Sequence, residues 1–246
     1  MGILQKLWAS YAVILFLLMM FISLPIVLFN GMFGTADAVL RRNIFYLHHV
    51  FTPVFLTLIG IRLKIHGKEK LDPARSYLIV SNHRTSLDFI LNAVAFPGVF
   101  RFLAKQELQK VPIFGWVVKK MCVTVDRRST MSRARSVVEI KDQLSKGWSI
   151  FIYPEGSRNR TKEPLGPFYD GVFRIAIQIG APIAVQTICN IKSVTDPLQS
   201  INLKPGVLHI VWDTPIETKG MKAEDIPILK TLVQHQMEKH LANHNV

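Results

Sequence analysis

Cysteine is nearly absent from this chain, with two in 246 residues. That excludes a disulfide framework and any Cys-rich metal site, and it fits a reducing compartment. Charge is sparse too, at 19% of residues against 49% hydrophobic. A chain this apolar is not disordered, because disorder follows from too little apolar surface to bury. Acid is the scarcer sign: 17 acidic residues face 30 basic ones, a formal net charge of +13. The excess selects anionic partners, namely nucleic acid, phospholipid head groups or phosphorylated small molecules. Internal repeats, low-complexity linkers and a Gly-x-Ser-x-Gly nucleophile elbow are also missing. The length fits one domain with an appendage, or two small domains.

Charge is missing most completely at the front. No charged side chain occurs from Leu7 to Ala36, a run of 30 residues, and 19 more follow from Asn43 to Ile61. As a helix rising ~1.5 Å per residue, the first run exceeds the ~30 Å core of a bilayer, and the second barely reaches it. A cleavable signal peptide has an apolar core of only ~7–15 residues. The triplet Ala36-Asp37-Ala38 therefore reads poorly as a cleavage site. A buried helix of a soluble core is the other plain reading, and 30 uncharged residues argue against it.

Residues 1–61 are thus expected to form a membrane-embedded helical hairpin. Pro25 and Pro53 should kink or end a helix where they fall. Arg41 and Arg42 occupy the link between the segments, and Arg62, Lys64, Lys68 and Lys70 come directly after the second one. Basic loops resist translocation. A hairpin dipping into one leaflet, with Arg41 and Arg42 reaching head groups, is therefore favoured over one that crosses. A spanning first helix with the second segment packed on the domain is the alternative. The expected location is the inner or cytoplasmic membrane, with the active site on the cytoplasmic side.

Residues 67–246 hold 25 basic and 16 acidic residues, the profile of a water-soluble domain large enough for a real core. We place its start at residue 62. Apolar runs with strand character recur at 61–65, 77–80, 100–104, 122–125, 149–153, 183–188 and 208–212. Helical patterns cover 86–96, 115–121, 130–146, 171–179 and 223–243. The alternation predicts an α/β domain with a mixed, largely parallel sheet flanked by helices. The last strand follows its predecessor without a helix between, so part of the sheet is expected to be antiparallel.

Ligands of such sheets bind beyond the carboxyl ends of strands. Three polar loops lie there: Ser81–Asp88, Asp126–Arg128 and Pro154–Arg160. In the first, Asp88 can reach back across a turn to His83, fix its tautomer and leave Nε2 free as a base. Thr85 and Asp88 equally fit a capping box. In the last, Gly156 permits a tight turn with close backbone approach, and Arg158 offers a planar fork for phosphate. A solvated surface turn is the plain reading of both arginine loops.

Taken in order, His83-x4-Asp88, Asp126-Arg127 and Pro154-Glu155-Gly156-Ser157-Arg158 resemble the glycerolipid acyltransferase family. Gly115 through Arg127, Pro167-Phe168, Gly171 and Ala181-Pro182-Ile183 extend the resemblance over roughly residues 60–215. Arg84 departs from it, standing where Gln or another polar residue is common. The resemblance implies direct transfer of an acyl group from acyl-CoA or acyl-carrier protein to the sn-2 hydroxyl of 1-acyl-glycerol-3-phosphate. The product is phosphatidic acid, made at a phospholipid membrane. His83 would take the hydroxyl proton, and Asp88 would orient His83. Arg127 and Arg158 would hold the acceptor phosphate, with Gly156 and Ser157 beside it, and Glu155 would hold the glycerol or position an arginine. Backbone amides near Ser86, or Lys105, would meet the oxyanion. No cofactor, metal or enzyme nucleophile is implied. Another lysolipid acceptor, or a catalytically silent lipid-binding protein, remains the alternative.

Other features read more plainly. Cys122 and Cys189 belong to apolar strands and are expected in the core. His240 and His244 share a helix face but lack a third ligand, so a solvated tail is expected. Lys119, Lys120, Arg127, Arg128, Arg133 and Arg135 form a basic cluster suited to an anionic membrane or to coenzyme A phosphates. No nucleic-acid motif accompanies the charge, so no nucleic acid is expected as a partner.

Overall fold

The computed structural model describes residues 3–110, 114–126, 128–199 and 202–244. The long uncharged run forms one helix, α1 (Ile3–Gly31), which continues through Pro25. The expected break at Pro25 is thus absent. One missing donor removes a single rung from a 29-residue ladder, and apolar flanks give the backbone no competing partner. The return arm is α2 (Ala36–Tyr46), a π-helical turn (Leu47–Phe51) and α3 (Thr52–Leu58). Thr35 caps α2 by accepting from the Ala38 amide. Pro53 falls in the first turn of α3, where a missing N–H costs nothing.

The two arms of this hairpin are tied to each other, and its bend is tied to the body. Near its start, Trp8 Nε1 donates to the Ile59 carbonyl (3.2 Å) and the Tyr11 hydroxyl to Leu58 (3.4 Å). Farther along, Ser23 meets the Tyr46 hydroxyl (2.8 Å), and Asn30 donates to Asn43 (2.9 Å). Beyond the bend, Asp37 accepts from the indole of Trp148 (2.8 Å). Arg41 pairs with Asp37 (2.7 Å), lies 4.4 Å over the Trp148 ring and donates to the Lys146 carbonyl. The outer side stays bare, with Leu4 81% and Phe21 74% exposed.

The strands are β1 (Ile61–His66), β2 (Leu78–Ser81), β3 (Phe100–Lys105), β4 (Cys122–Val125), β5 (Ser149–Ile152), β6 (Ile183–Cys189) and β7 (Gly206–Trp212). They make one sheet in the order β1-β7-β6-β2-β5-β3-β4. All neighbours are parallel except β6 and β7, which pair antiparallel with Gln186 opposite Trp212. The connection before the last strand holds no α-helix, only a 3-10 turn (Ile191–Ser193), and it is where the direction reverses, as the sequence led us to expect. β2 and β6 are buried throughout because helices cover both faces.

Helix α4 (Asp88–Ala95), with α1 and α3, covers one face. Ala9, Ala12, Phe55 and Ile59 of the hairpin share a core there with Leu91, Phe151 and Trp212. Helices α6 (Thr130–Ser145), α7 (Gly171–Ile179) and α8 (Ile226–His244) pack on the other, through Ile140, Phe173 and Val233. Helix α5 (Phe114–Met121) leads into β4.

The tail of α8 departs from expectation. His240 hydrogen-bonds Asp213 at 3.0 Å, and the His244 ring lies against His209 with centroids 5.0 Å apart. The end of the helix folds back on the β1–β7 edge because these rings find partners there. Cys189 is buried and Cys122 half-buried, and burial pushes their thiols up to about 12 and about 11.

Candidate active site

The loop after β2 begins with a side chain that imitates backbone. Asn82 donates to the Ile188 carbonyl (2.9 Å) and accepts from the Ile188 amide (2.8 Å), extending the β2–β6 pairing by one step. His83 follows, and the chain turns into α4 at Asp88. The Asp88 carboxylate is 1% exposed and fully engaged. Oδ2 accepts from the amides of Arg84 (2.7 Å) and Thr85 (2.9 Å) and meets His83 Nδ1 at 2.8 Å. Oδ1 accepts from the Thr85 hydroxyl (2.9 Å). The carboxylate that orients the histidine therefore also gathers the two amides of the turn that leads into the helix. With Nδ1–H donated to Asp88, Nε2 carries the free lone pair.

Aromatic rings fix the imidazole further. Tyr153 stacks on it with centroids 3.9 Å apart and planes 14° off parallel. Phe89 meets it edge-on at 5.5 Å. The Tyr153 hydroxyl accepts from Asn92 Nδ2 (2.8 Å), one turn beyond Asp88 on α4.

The loop after β5 locks onto the first. Gly156 turns it with φ of +70°, a conformation L side chains rarely adopt. Buried Glu155 accepts from the His83 amide and the Gly166 amide, both at 2.7 Å. Burial raises its pKa, against the lowering effect of the two amides. The sequence assigned Glu155 to the glycerol or to an arginine. Its oxygens hold backbone instead, and a Cβ at position 166 would lie 2.7 Å from one of them. The Asn159 amide donates to the His83 carbonyl (2.7 Å). Arg84 spans the same gap, donating to the carbonyls of Thr161 (3.3 Å), Glu163 and Pro164 (3.5 Å). Arg158 Nη1 donates to the Ser86 hydroxyl (2.8 Å), joining the two motifs through side chains.

The remaining expected residues stand apart. Ser157 is exposed on the turn, and Lys105 is exposed at the end of β3. None of the hydrogen bonds that hold His83 or Arg158 involves Lys105. Arg127 lies outside the described residues.

A cavity of about 570 Å³ runs beside the joined loops. Its apolar wall comes from the hairpin, including Ala12, Phe16 and Phe55, and its polar wall includes Ser86, Arg158 and Arg160. Arg84 to Leu87 line it, whereas the His83 ring faces Tyr153 and Phe89 and is not in the wall. A second cavity, of about 500 Å³, opens on the other side of Arg84. Among the described residues no three His, Cys, Asp or Glu side chains are arranged to hold a metal ion.

Sequence reasoning missed Tyr153, Asn92 and Arg160 as parts of this arrangement. Asn92 left a signal: a polar residue in an apolar helix, four positions after Asp88 and hence on its face. Tyr153 looked like the end of a core strand, and nothing in its spacing distinguished a ring stacked on histidine.

Comparison with known proteins agrees with the motif order. The acyltransferase family model matches residues 62–189. The 1-acyl-sn-glycerol-3-phosphate acyltransferase alpha of Mus musculus is 28% identical over 184 residues, covering 73% of this chain and 64% of the relative. An uncharacterized acyltransferase of Schizosaccharomyces pombe is 30% identical over 173 residues, covering 69% of this chain and 62% of the relative. The chain thus spans somewhat less than two thirds of the length of these relatives. The crystal structure of the 1-acyl-sn-glycerophosphate (LPA) acyltransferase PlsC from Thermotoga maritima shares the fold. Its TM-score is 0.78 at 20% identity, covering 98% of this chain and 94% of that one.

Proposed function

Since this chain belongs to the acyltransferase family, we propose that it acylates the sn-2 hydroxyl of 1-acyl-glycerol-3-phosphate from an acyl thioester, giving phosphatidic acid. The names of the relatives support this acceptor. His83 Nε2 takes the hydroxyl proton as the oxygen attacks the thioester carbonyl. The C–S bond then breaks, and the imidazolium returns its proton to the departing thiolate. Asp88 holds the imidazole in the tautomer this requires and stabilises its charge. The amides of Arg84 and Thr85 are committed to Asp88. The Ser86 amide at the helix start is then our preferred oxyanion donor, with Lys105 as the other candidate. Arg158 and Arg160, in the polar wall of the larger cavity, hold the acceptor phosphate, and the sequence resemblance adds Arg127 to them. The donor is acyl-CoA or acyl-carrier protein.

The protein sits at a phospholipid membrane by its hairpin. Helix α1 is long and apolar enough to cross a bilayer. Its start is nevertheless bonded to the return arm at Leu58–Ile59 and packed through Ala9 and Ala12 into the core of the body, and the stretch after its bend is bonded to the body at Lys146–Trp148. A helix held along the body at both ends cannot carry its bend to the far side. It lies in one leaflet, with its exposed apolar side in lipid and the domain on the cytoplasmic side.

One observation carries the reading. The His83–Asp88 pair is joined through Ser86 and Arg158 to a cavity that is cationic at one wall and lipid-like at the other. Purified protein should acylate lysophosphatidic acid in preference to lysophosphatidylglycerol or lyso-aminolipids, and His83→Ala should abolish transfer without loss of fold. Wild-type-like turnover in His83→Ala would sink the general-base role, and preference for another acceptor would overturn the substrate.

A further inference from the structure

We propose that the smaller cavity, beyond Asn82 and Arg84, is a second anion subsite that takes the phosphates of the donor's nucleotide. The proposal rests on the acyl-transfer reading above. Three cationic side chains, Arg84, Lys162 and Lys192, line the cavity, and no carboxylate does. Arg84 is only 6% exposed, and its acceptors are three neutral carbonyls. The nearby carboxylates of Asp88 and Glu155 are committed to backbone amides and His83. Arg84 makes no direct ion pair and feels only the longer-range attraction of Glu155, so an anionic ligand offsets the remaining cost of burying its charge.

The two cavities differ in what they can hold. The larger one pairs its arginines with side chains of α1 and α3. That suits a phosphate which cannot leave its acyl chain. The smaller one has no hairpin residue in its wall, and its apolar lining is limited to Pro164, Ile188, Ile191 and Leu241. It suits a water-soluble polyanion. It also opens at the carboxyl ends of β2 and β6, where ligands of such sheets bind. Asn82 and Arg84 flank His83 in the chain, so a donor seated here extends its thioester past Arg84 toward the imidazole. Arg84 lines both cavities. It separates a lipid-bound phosphate from a soluble one.

The test uses the full chain in detergent with two donors of equal acyl length, acyl-CoA and acyl-pantetheine, the second lacking nucleotide phosphates. Lys162 and Lys192 are exposed, so the double variant Lys162→Ala/Lys192→Ala should keep its fold. The ratio of kcat/KM for acyl-CoA to that for acyl-pantetheine should fall about tenfold or more, the scale of a lost charge-assisted contact. Adenosine 3′,5′-bisphosphate, followed by equilibrium dialysis without turnover, should bind the wild type and weaken by a similar factor in the variant. An unchanged ratio, a loss falling on KM for the lysolipid, or bisphosphate binding indifferent to the lysines would each overturn the subsite. Absence of transfer with any thioester would defeat the functional reading instead, and the dialysis would still judge the subsite.

Discussion

The two faces of the sheet are built by different rules. β5 serves both, since successive side chains alternate. Ile150 and Ile152 join the mainly aliphatic core under α6, α7 and α8, in which Phe168 and Phe173 are the buried aromatic rings, while Phe151 joins the core under the hairpin. On the hairpin side the packing is an aromatic succession. Phe100 meets Phe151 at 5.3 Å, Phe151 meets Tyr153 at 5.4 Å, and Tyr153 meets His83 at 3.9 Å. Rings with few rotamers and directional contacts pass position along to the imidazole. The other face needs only volume, and volume-filling aliphatic cores tolerate exchange. Precision is concentrated on the face that the hairpin covers.

The largest contrast should come from one substitution on each side. In Asp88→Asn the side-chain oxygen stays with the two amides and His83 Nδ1–H while the NH₂ turns to the Thr85 hydroxyl, so the imidazole keeps a partner but loses the negative charge that orients it and stabilises its protonated form. We expect kcat to drop ~10³- to 10⁴-fold, about 4–5 kcal/mol, with a modest fall in melting temperature. Phe173→Ala, fully buried on the other face, should cost ~3–5 kcal/mol of stability while each folded molecule keeps its kcat. Comparable loss of turnover per folded molecule in both would erase the distinction between the faces.

Tyr153 sharpens the comparison within the hairpin face. Tyr153→Phe keeps the stacked ring and removes the acceptor of buried Asn92 Nδ2. An orphaned buried donor costs ~1–3 kcal/mol, so stability should fall while kcat stays within a few-fold. Tyr153→Leu removes the stack as well and should depress kcat beyond the loss in stability. Equal kcat in the two variants would remove Tyr153 from the positioning of His83.

How much of this was legible depends on the range of the interactions. Strand periodicity, the His83-x4-Asp88 spacing and the antiparallel final strand are local, and they read directly from the sequence. The partners of Glu155 are 72 and 11 positions away, and no local pattern announces that a carboxylate will hold two amides. Arg84 stood out only as a departure from the family pattern, and its partners, 77 to 80 positions away, make it a clamp on the loop after β5. Pro25 misled because a proline signals a break in water, where freed backbone finds partners, more strongly than within an apolar helix.

Glu155 yields a smaller, pH-dependent effect. Its raised pKa means the folded state keeps the proton to higher pH than the unfolded chain does. Stability from this group therefore falls as pH rises from the ordinary carboxylate value, 4.5, through the raised one. Glu155→Gln should flatten that slope. It also turns an NH₂ toward one of two N–H donors, so stability at neutral pH should drop by ~1–2 kcal/mol. A slope unchanged in urea titrations at successive pH values would remove Glu155 as its source.

The smallest effect should lie where the hairpin meets the body, at Asp37. Its hydrogen bond from Arg41 holds the carboxyl below the usual range, with a further lowering from the Trp148 indole. Asp37 and Arg41 side chains are 51% and 31% exposed, so water and salt screen most of the attraction. Asp37→Asn retains a carbonyl for the indole and deletes the charge. The expected loss at pH 7 is ~0.2–1 kcal/mol, the range of exposed ion pairs. The sign follows from the lowered pKa. The advantage of the charge is complete above the unfolded carboxylate value of ~3.9 and is lost as pH falls through the lower folded value. Wild type and variant should therefore converge on acidification, and also at ~1 M salt, where the Debye length is ~3 Å. Arg41→Ala should cost somewhat more, because it also removes the guanidinium lying 4.4 Å over the Trp148 ring. A gap between wild type and Asp37→Asn that persisted in acid and in high salt would assign the contribution of Asp37 to its neutral hydrogen bond with the indole and not to its charge.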